Sequence, residues 1–155
     1  MAGKIDARLQ ELGIVLPPAP APAANYVPFT VSRGTVYIAG QVPFVDGALR
    51  HRGRVGETYT VDEGRQIARI CGLNILAQLK AACAGDLDRV VRCLKVGGFV
   101  ACPEGFGEQP EVVNGASDLM VEVLGDAGRH ARFAVGTNAL PRNVPVEVDA
   151  IFEID

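Results

Sequence analysis

The sequence predicts a single α+β domain in which the chain runs as strands, a helix, a strand, a helix and two final strands. Val146–Ile154 alternates apolar residues with mostly acidic ones, which is the pattern of a strand with one buried face. A capping-box sequence at residues 60–63 opens a long helical segment, and a second helical stripe covers residues 112–124. A chain of 155 residues is long enough to bury about two thirds of its surface around one core.

An N-terminal extension precedes this domain over residues 1–23. Apolar residues at helical spacing predict a short packing helix over residues 4–12. Residues 16–25 are rich in Pro and Ala and lack the backbone donors of a helix or a central strand. We therefore expect an extended surface tether there, followed by the main domain over residues 24–155.

The first half of the main domain contains two strands and a helix. Residues 26–31 and 35–39 are predicted to be short strands joined by a turn at residues 32–34. The capping box at residues 60–63 satisfies orphan amides at the start of a helix. We expect this helix to continue to about Ala84.

The second half alternates strand and helix and ends in two strands. Val90–Ala101 is too rich in β-branched residues and glycine for a helix, which predicts a strand with a bulge at Gly97 and Gly98. The second long helix is closed by Gly125. Ala131–Thr137 is predicted to be the strand before the C-terminal one.

Composition and charge argue against several classes of protein. Fifteen basic and 18 acidic residues give a net charge of -3, so no overall positive field favours binding of a nucleic acid. The longest apolar stretch, residues 96–102, is far too short to cross a bilayer, and the N-terminus lacks the apolar core of a secretory signal. We therefore expect a cytoplasmic protein. When its 18 glycines are counted as apolar, the apolar fraction of the chain exceeds the usual value of roughly 45–50%. This excess suggests that apolar surface is buried between the subunits of a small homo-oligomer.

Most standard catalytic motifs are missing from the sequence. It contains no phosphate-binding glycine loop, no dinucleotide-binding fingerprint, no zinc-hydrolase motif and no serine elbow. The four cysteines form no Cys-x-x-Cys pair, and only two histidines could complete a metal site. We expect buried reduced thiols and no metal.

Arg132 lies inside the predicted strand Ala131–Thr137, where a guanidinium needs a partner. Its planar fork suits a carboxylate held at two points, which makes it a candidate anion-binding residue. A structural ion pair with Asp149 or Glu147 across the sheet is the alternative. If residues 138–143 connect paired final strands, Arg132 lies opposite Asp149 and diagonal to Glu147.

The other candidate site residues are polar or small and lie in other elements: Tyr26, Gly40, Gln41, Asn114 and Glu147. Glu147 is either one of four acids on a solvated strand face or a carboxylate that accepts a proton from attacking water. The alternative for Asn114 is a surface amide, and the alternative for Tyr26 is a packing residue with no role in a site. We expect His130 and the basic run at residues 50–54 in solvated loops.

Several of these residues lie in segments that resemble the RidA/YjgF family, the reactive-intermediate imine deaminases. The segments are Asn25-Tyr26-Val27, VYIAGQVP at 36–43, Val113-Asn114, His130-Ala131-Arg132, Leu140-Pro141 and VEVDAIFEI at 146–154. Each segment is short, but their order and spacing together are specific. The resemblance extends from about Ala24 to the end of the chain.

The resemblance implies a chorismate-mutase-like fold, with a mixed β-sheet packed on two helices, that assembles as a homotrimer with clefts between subunits. It implies hydrolysis of small 2-imino or enamine acids to 2-oxo acids and ammonia, with no cofactor. Arg132 would hold the substrate carboxylate, Glu147 would activate water, and Tyr26, Gly40 and Asn114 would line the same cleft. An imine carbon is already electrophilic, so orientation and a polarised water suffice for this chemistry.

Two departures from the family pattern bear on the substrate. Ala39 stands where many members have a hydroxyl residue, and Ala134 stands where a cysteine is frequent. Small changes in a pocket shift discrimination between substrates by about 1 to 3 kcal/mol. Two other functions stay open: RNA cleavage or translation inhibition, labels also attached to this family, and a non-enzymatic trimer that binds a small carboxylate or a partner protein.

Overall fold

A computed structural model describes residues 2–22 and 24–155 and confirms the predicted α+β architecture, with three helices, a five-stranded mixed sheet and a small hairpin within these ranges. The helices are α1 (Lys4–Glu11), α2 (Val61–Ala82) and α3 (Gln109–Leu124). The strands of the sheet are β1 (Phe29–Ser32), β2 (Thr35–Gln41), β5 (Val90–Ala101), β6 (Ala131–Thr137) and β7 (Val146–Ile154). The hairpin consists of β3 (Phe44–Val45) and β4 (Ala48–Leu49).

The sheet has the strand order β1-β2-β7-β5-β6. β5 and β6 are parallel, and every other neighbouring pair is antiparallel. The predicted pairing of β6 with β7 is wrong, because β5 lies between them. Arg132 is opposite Val96, and Val96 is opposite Ala150, so Arg132 is not a neighbour of Asp149.

The alternation of β7 separates the sheet into two faces. Alternate residues from Val146 to Ile154 are apolar and buried, whereas Glu147 and Ile151 between them are half-buried and Asp149 is exposed. The buried face packs against α2 and α3 and forms the core with them. The opposite face carries Tyr37, Phe99 and Val135, which are 49%, 39% and 42% exposed. We call this opposite side the outer face.

α2 begins with the predicted capping box, in which Thr60 and Glu63 satisfy each other's backbone amides. The helix ends at Ala82, slightly before Ala84, whose backbone has a left-handed φ of 55°. α2 and α3 approach closely at Gly115, where a Cβ would lie 1.9 Å from the Arg65 carbonyl oxygen. Only a residue without a side chain allows the two helices to pack at this distance.

Two local predictions are wrong. β5 has no bulge at Gly97 and Gly98, and its register shifts lie nearer its start, between residues 90 and 92 and between residues 93 and 95. Gly98 serves packing instead, because a Cβ there would lie 2.5 Å from the Val113 side chain on α3. β1 begins at Phe29, later than predicted, since Pro28 has no amide hydrogen for a strand ladder.

The N-terminal extension is docked on the domain. The Asp88 carboxylate accepts hydrogen bonds from the backbone amides of Lys4 and Ile5, which are orphan donors at the start of α1. These bonds lower the pKa of Asp88. Lys80 on α2 forms an ion pair with Asp6 at 2.9 Å. In the described residues, no helix has the length and apolar character needed to span a bilayer.

Candidate functional site

Glu147 lies on the outer face at a point where the neighbouring strand has no side chain. A Cβ at Gly40 of β2 would lie 2.4 Å from Glu147 Oε1. β2 and β7 also lose their regular register between Ile38 and Gln41. Glycine at position 40 therefore leaves room for the carboxylate to occupy its present position.

A small cavity of about 120 Å³ opens next to this carboxylate. Tyr26, Gly40 and Glu147 line it, as do residues 20–22 of the tether and Arg142. Arg142 has a left-handed φ of 57°, and its carbonyl accepts a hydrogen bond from Arg52 Nη1 at 2.6 Å. The structure thus brings four of the candidate residues together, because Gln41 lines the cavity as well. It adds the tether and Arg142, which the sequence prediction missed.

The environment of Glu147 makes its carboxylate more basic than that of a free glutamate. Burial raises the pKa of Glu147, and the negative charge of Asp149 on the same strand face raises it further. A carboxylate with a raised pKa is a better proton acceptor at neutral pH. Glu147 therefore has the property that a general base for water needs.

Arg132 lies on the other side of the sheet, facing α3. Its Nη1 donates hydrogen bonds to Asn114 Oδ1 at 2.8 Å and to Ser117 Oγ at 3.1 Å. Its Nη2 makes a longer contact of 3.5 Å with the Pro110 carbonyl. These bonds engage fewer than the five N–H donors of a guanidinium, so the group retains donors for an anion.

Ser117 connects Arg132 to His130. Ser117 Oγ and His130 Nε2 are 2.9 Å apart, and His130 Nδ1 lies 2.6 Å from the Gly128 carbonyl. A carbonyl only accepts, so Nδ1 donates to Gly128, and in the Nδ1–H tautomer Nε2 accepts the Ser117 hydroxyl proton. The Ser117 oxygen remains free to accept from Arg132. This chain of hydrogen bonds, from Gly128 through His130 and Ser117, holds the Arg132 guanidinium in position.

These contacts correct two predictions. Arg132 forms none of the ion pairs found within residues 2–22 and 24–155, so the alternative of a structural ion pair with Asp149 or Glu147 is wrong. His130 lies in the loop before β6, as expected, but its side chain is partly buried and hydrogen-bonded and is not solvated. The spacing in the sequence could have identified Ser117 as a site residue, because it lies one helical turn after Asn114 and therefore on the same face of α3.

The predicted site residues thus fall into two groups that one chain does not bring together. Tyr26, Gly40 and Glu147 form a group at the outer face. Arg132 and Asn114 form a second group on the α3 side, as the pairing of Arg132 with the buried Val96 requires. We call these groups the carboxylate half-site and the arginine half-site.

The thiols are placed for packing. All four cysteines are free and buried, as predicted. Burial raises the pKa of Cys93 to about 12, and it raises the pKa of Cys71 as well. Thiols with raised pKa values are poor nucleophiles at neutral pH. Across the described ranges, no group of three or more His, Cys, Asp or Glu side chains is arranged to hold a metal ion.

Comparison with known proteins places this architecture in one family. A family model described as "YjgF/chorismate mutase-like, putative endoribonuclease" matches residues 6–153. Protein TCP17 of Trypanosoma cruzi is 46% identical over an alignment of 155 positions, which covers 99% of this chain and 96% of that protein.

Solved structures agree with this placement. The crystal structure of Atu1372, a protein of unknown function from Agrobacterium tumefaciens, is 50% identical, with a TM-score of 0.90 over 97% of this chain and 92% of that one. The crystal structure of RidA from the Antarctic bacterium Psychrobacter sp. PAMC 21119 is 25% identical, with a TM-score of 0.60 over 88% of this chain and 94% of that one. Because the family match covers nearly the whole sequence, the chain belongs to the RidA/YjgF family.

Proposed function

We propose that this protein hydrolyses small 2-imino or enamine acids to 2-oxo acids and ammonia, in clefts between the subunits of a homotrimer. Each cleft would combine the arginine half-site of one copy with the carboxylate half-site of its neighbour. The observation that carries the proposal is that the two half-sites are complementary. One offers a guanidinium held by Asn114 and Ser117, and the other offers a carboxylate of raised pKa beside a cavity.

The outer face supports assembly as well as catalysis. Tyr37, Phe99 and Val135 leave apolar surface exposed on the same side of the sheet as Glu147. Exposed apolar side chains grouped on one face are typical of protein interfaces. Burying this face between copies would bring the carboxylate half-site to a subunit boundary, where a second chain can complete it.

The proposed chemistry needs only groups that the two half-sites contain. Arg132 and Asn114 hold the substrate carboxylate and present the iminium carbon, C2, to a water beside Glu147. Water adds to C2 as Glu147 accepts its proton, and the carboxyl then gives that proton to the nitrogen. The C2–N bond breaks as the hydroxyl oxygen becomes the carbonyl. Ammonia takes up the hydroxyl proton and leaves as ammonium.

The activity is tested with imines generated in situ by an amino-acid oxidase, following imine loss together with release of 2-oxo acid and ammonia. Wild-type protein should accelerate all three, and Arg132→Ala and Glu147→Gln should each abolish the acceleration while remaining folded. No acceleration with small, branched or aromatic imines would refute the deaminase proposal. Tight 2-oxo acid binding without turnover would then indicate a ligand-binding trimer, and salt-dependent RNA cleavage would indicate a ribonuclease.

The shared cleft has its own test. The two inactive variants, Arg132→Ala and Glu147→Gln, are unfolded together, refolded as a mixture and assayed. If each site takes its arginine and its glutamate from different copies, random assembly restores about one quarter of the sites. If both residues act within one chain, no mixture regains activity. Separately refolded variants, mixed afterwards without exchange, are the control.

A further inference from the structure

The tether is fixed at the cavity by a buried amide of α2. Gln78 is 1% exposed, and its Nε2 donates a hydrogen bond to the Pro20 carbonyl at 2.6 Å. One turn earlier, Asn74 is also 1% exposed and donates to the Val42 and Phe44 carbonyls, both in residues that line the cavity. Side chains four residues apart lie on the same helix face. The two amides that interrupt the apolar surface of α2 therefore hold two walls of one cavity.

The wall held by Gln78 has a distinct chemistry. Residues 20–22 have the sequence Pro-Ala-Pro and line the cavity together with Gly40 and Glu147. Two of the three residues have no backbone N–H, and all three side chains are small and apolar. A Pro-rich segment is also stiff, because each ring fixes one backbone angle. The wall therefore offers an apolar surface that cannot readily move aside.

We infer that residues 20–22, positioned by Gln78, set the size and polarity of the substrate side chain that the cavity accepts. This inference rests on the proposed function. With the substrate carboxylate on Arg132 and C2 beside Glu147, the remaining substituent of C2 faces the cavity and meets the tether wall. Short apolar substituents fit there. Aromatic substituents lack space in a cavity of about 120 Å³.

Two variants change the wall in opposite directions. Gln78→Met removes the amide donor at nearly constant length and frees the wall. It should raise the ratio of kcat/KM for the phenylalanine-derived imine to that for the alanine-derived imine by about tenfold. Ala21→Leu adds bulk to the wall and should lower kcat/KM for the leucine-derived imine far more than for the alanine-derived one. Lys80→Met is the matched control, because it removes a contact between α2 and α1 without touching the wall.

The outcomes separate this inference from the proposal on which it rests. Turnover by the wild type, with both substrate ratios unchanged in Gln78→Met and Ala21→Leu, overturns the inference alone. The inference also fails if Lys80→Met shifts the ratios as much as Gln78→Met does. If the wild type binds 2-oxo acids without turnover, the ratios of dissociation constants for pyruvate and phenylpyruvate replace those of kcat/KM. A wild type that neither turns over imines nor binds 2-oxo acids overturns the proposed function and this inference together.

Discussion

Replacing Gly40 by alanine should impair catalysis by displacing Glu147 without damaging the fold. The added Cβ would lie 2.4 Å from Glu147 Oε1, whereas ordinary van der Waals contact begins at 3.4 Å. The oxygen must therefore retreat by about 1 Å. The atom that it meets belongs to the end of a flexible side chain, so the carboxylate moves and the two strands stay in place.

A displacement of this size is large for a group that must orient a water. Misplacement by 1 Å costs about 100-fold in rate, so we expect kcat/KM of Gly40→Ala to fall by about that factor. Stability should not fall with it. The backbone at Gly40 is outside the left-handed region, and alanine at a compatible position stabilises a protein by about 0.4 to 1 kcal/mol through the unfolded chain.

The assay is the coupled imine assay, with thermal unfolding of each variant measured alongside. Gly107→Ala is the matched control, because a Cβ there meets nothing within 4 Å. A double-mutant cycle then tests whether the Gly40 substitution acts through Glu147. In a Glu147→Gln background the Gly40 substitution should cause little further loss of any residual turnover measured at high enzyme concentration, since the group it displaces is already inactive. Equal activity of Gly40→Ala and Gly107→Ala, or full additivity in the cycle, would refute the reasoning.

Three other predictions concern the protonation of Glu147, the hydrogen bond of Ser117 and the helix contact at Gly115. Because the folded-state pKa of Glu147 is raised, its stabilising contribution is present below the unfolded pKa of about 4.3 and is lost as pH rises through the folded pKa. Glu147→Gln should therefore unfold at a higher temperature than the wild type at pH 7–8 and show no such gain near pH 4. A gain of equal size at every pH would contradict this. Ser117→Ala removes a hydrogen bond to the Arg132 guanidinium, worth about 1.5 kcal/mol, and should raise KM about tenfold with kcat little changed, whereas Ser117→Thr should restore KM. Gly115→Ala places a Cβ 1.9 Å from the Arg65 carbonyl, so urea unfolding should show a loss of about 2 to 3 kcal/mol. An unchanged urea midpoint would mean that the two helices can separate freely.

The parts of the fold that the sequence predicted depend on local chemistry. The capping box of Thr60 and Glu63 and the alternation of Val146–Ile154 are patterns within one element, and both are present in the structure. The bulge assigned to Gly97 and Gly98 failed for a different reason. Glycine in a strand marks either a bulge or a close approach, and only the position of α3 distinguishes the two. That information lies in a segment distant in the sequence.

The relation of Arg132 to Glu147 depended on a topological assumption that local patterns do not test. Consecutive strands are neighbours roughly two thirds of the time, which favoured pairing β6 with β7. Placing β5 between them moves Arg132 away from Asp149 and sets it opposite Val96 on the core side of the sheet. An ion pair would have neutralised the charge of the guanidinium and given Arg132 a structural role. With that partner removed, Arg132 is held by neutral groups and keeps its charge available for an anion, which favours the binding interpretation over the structural one.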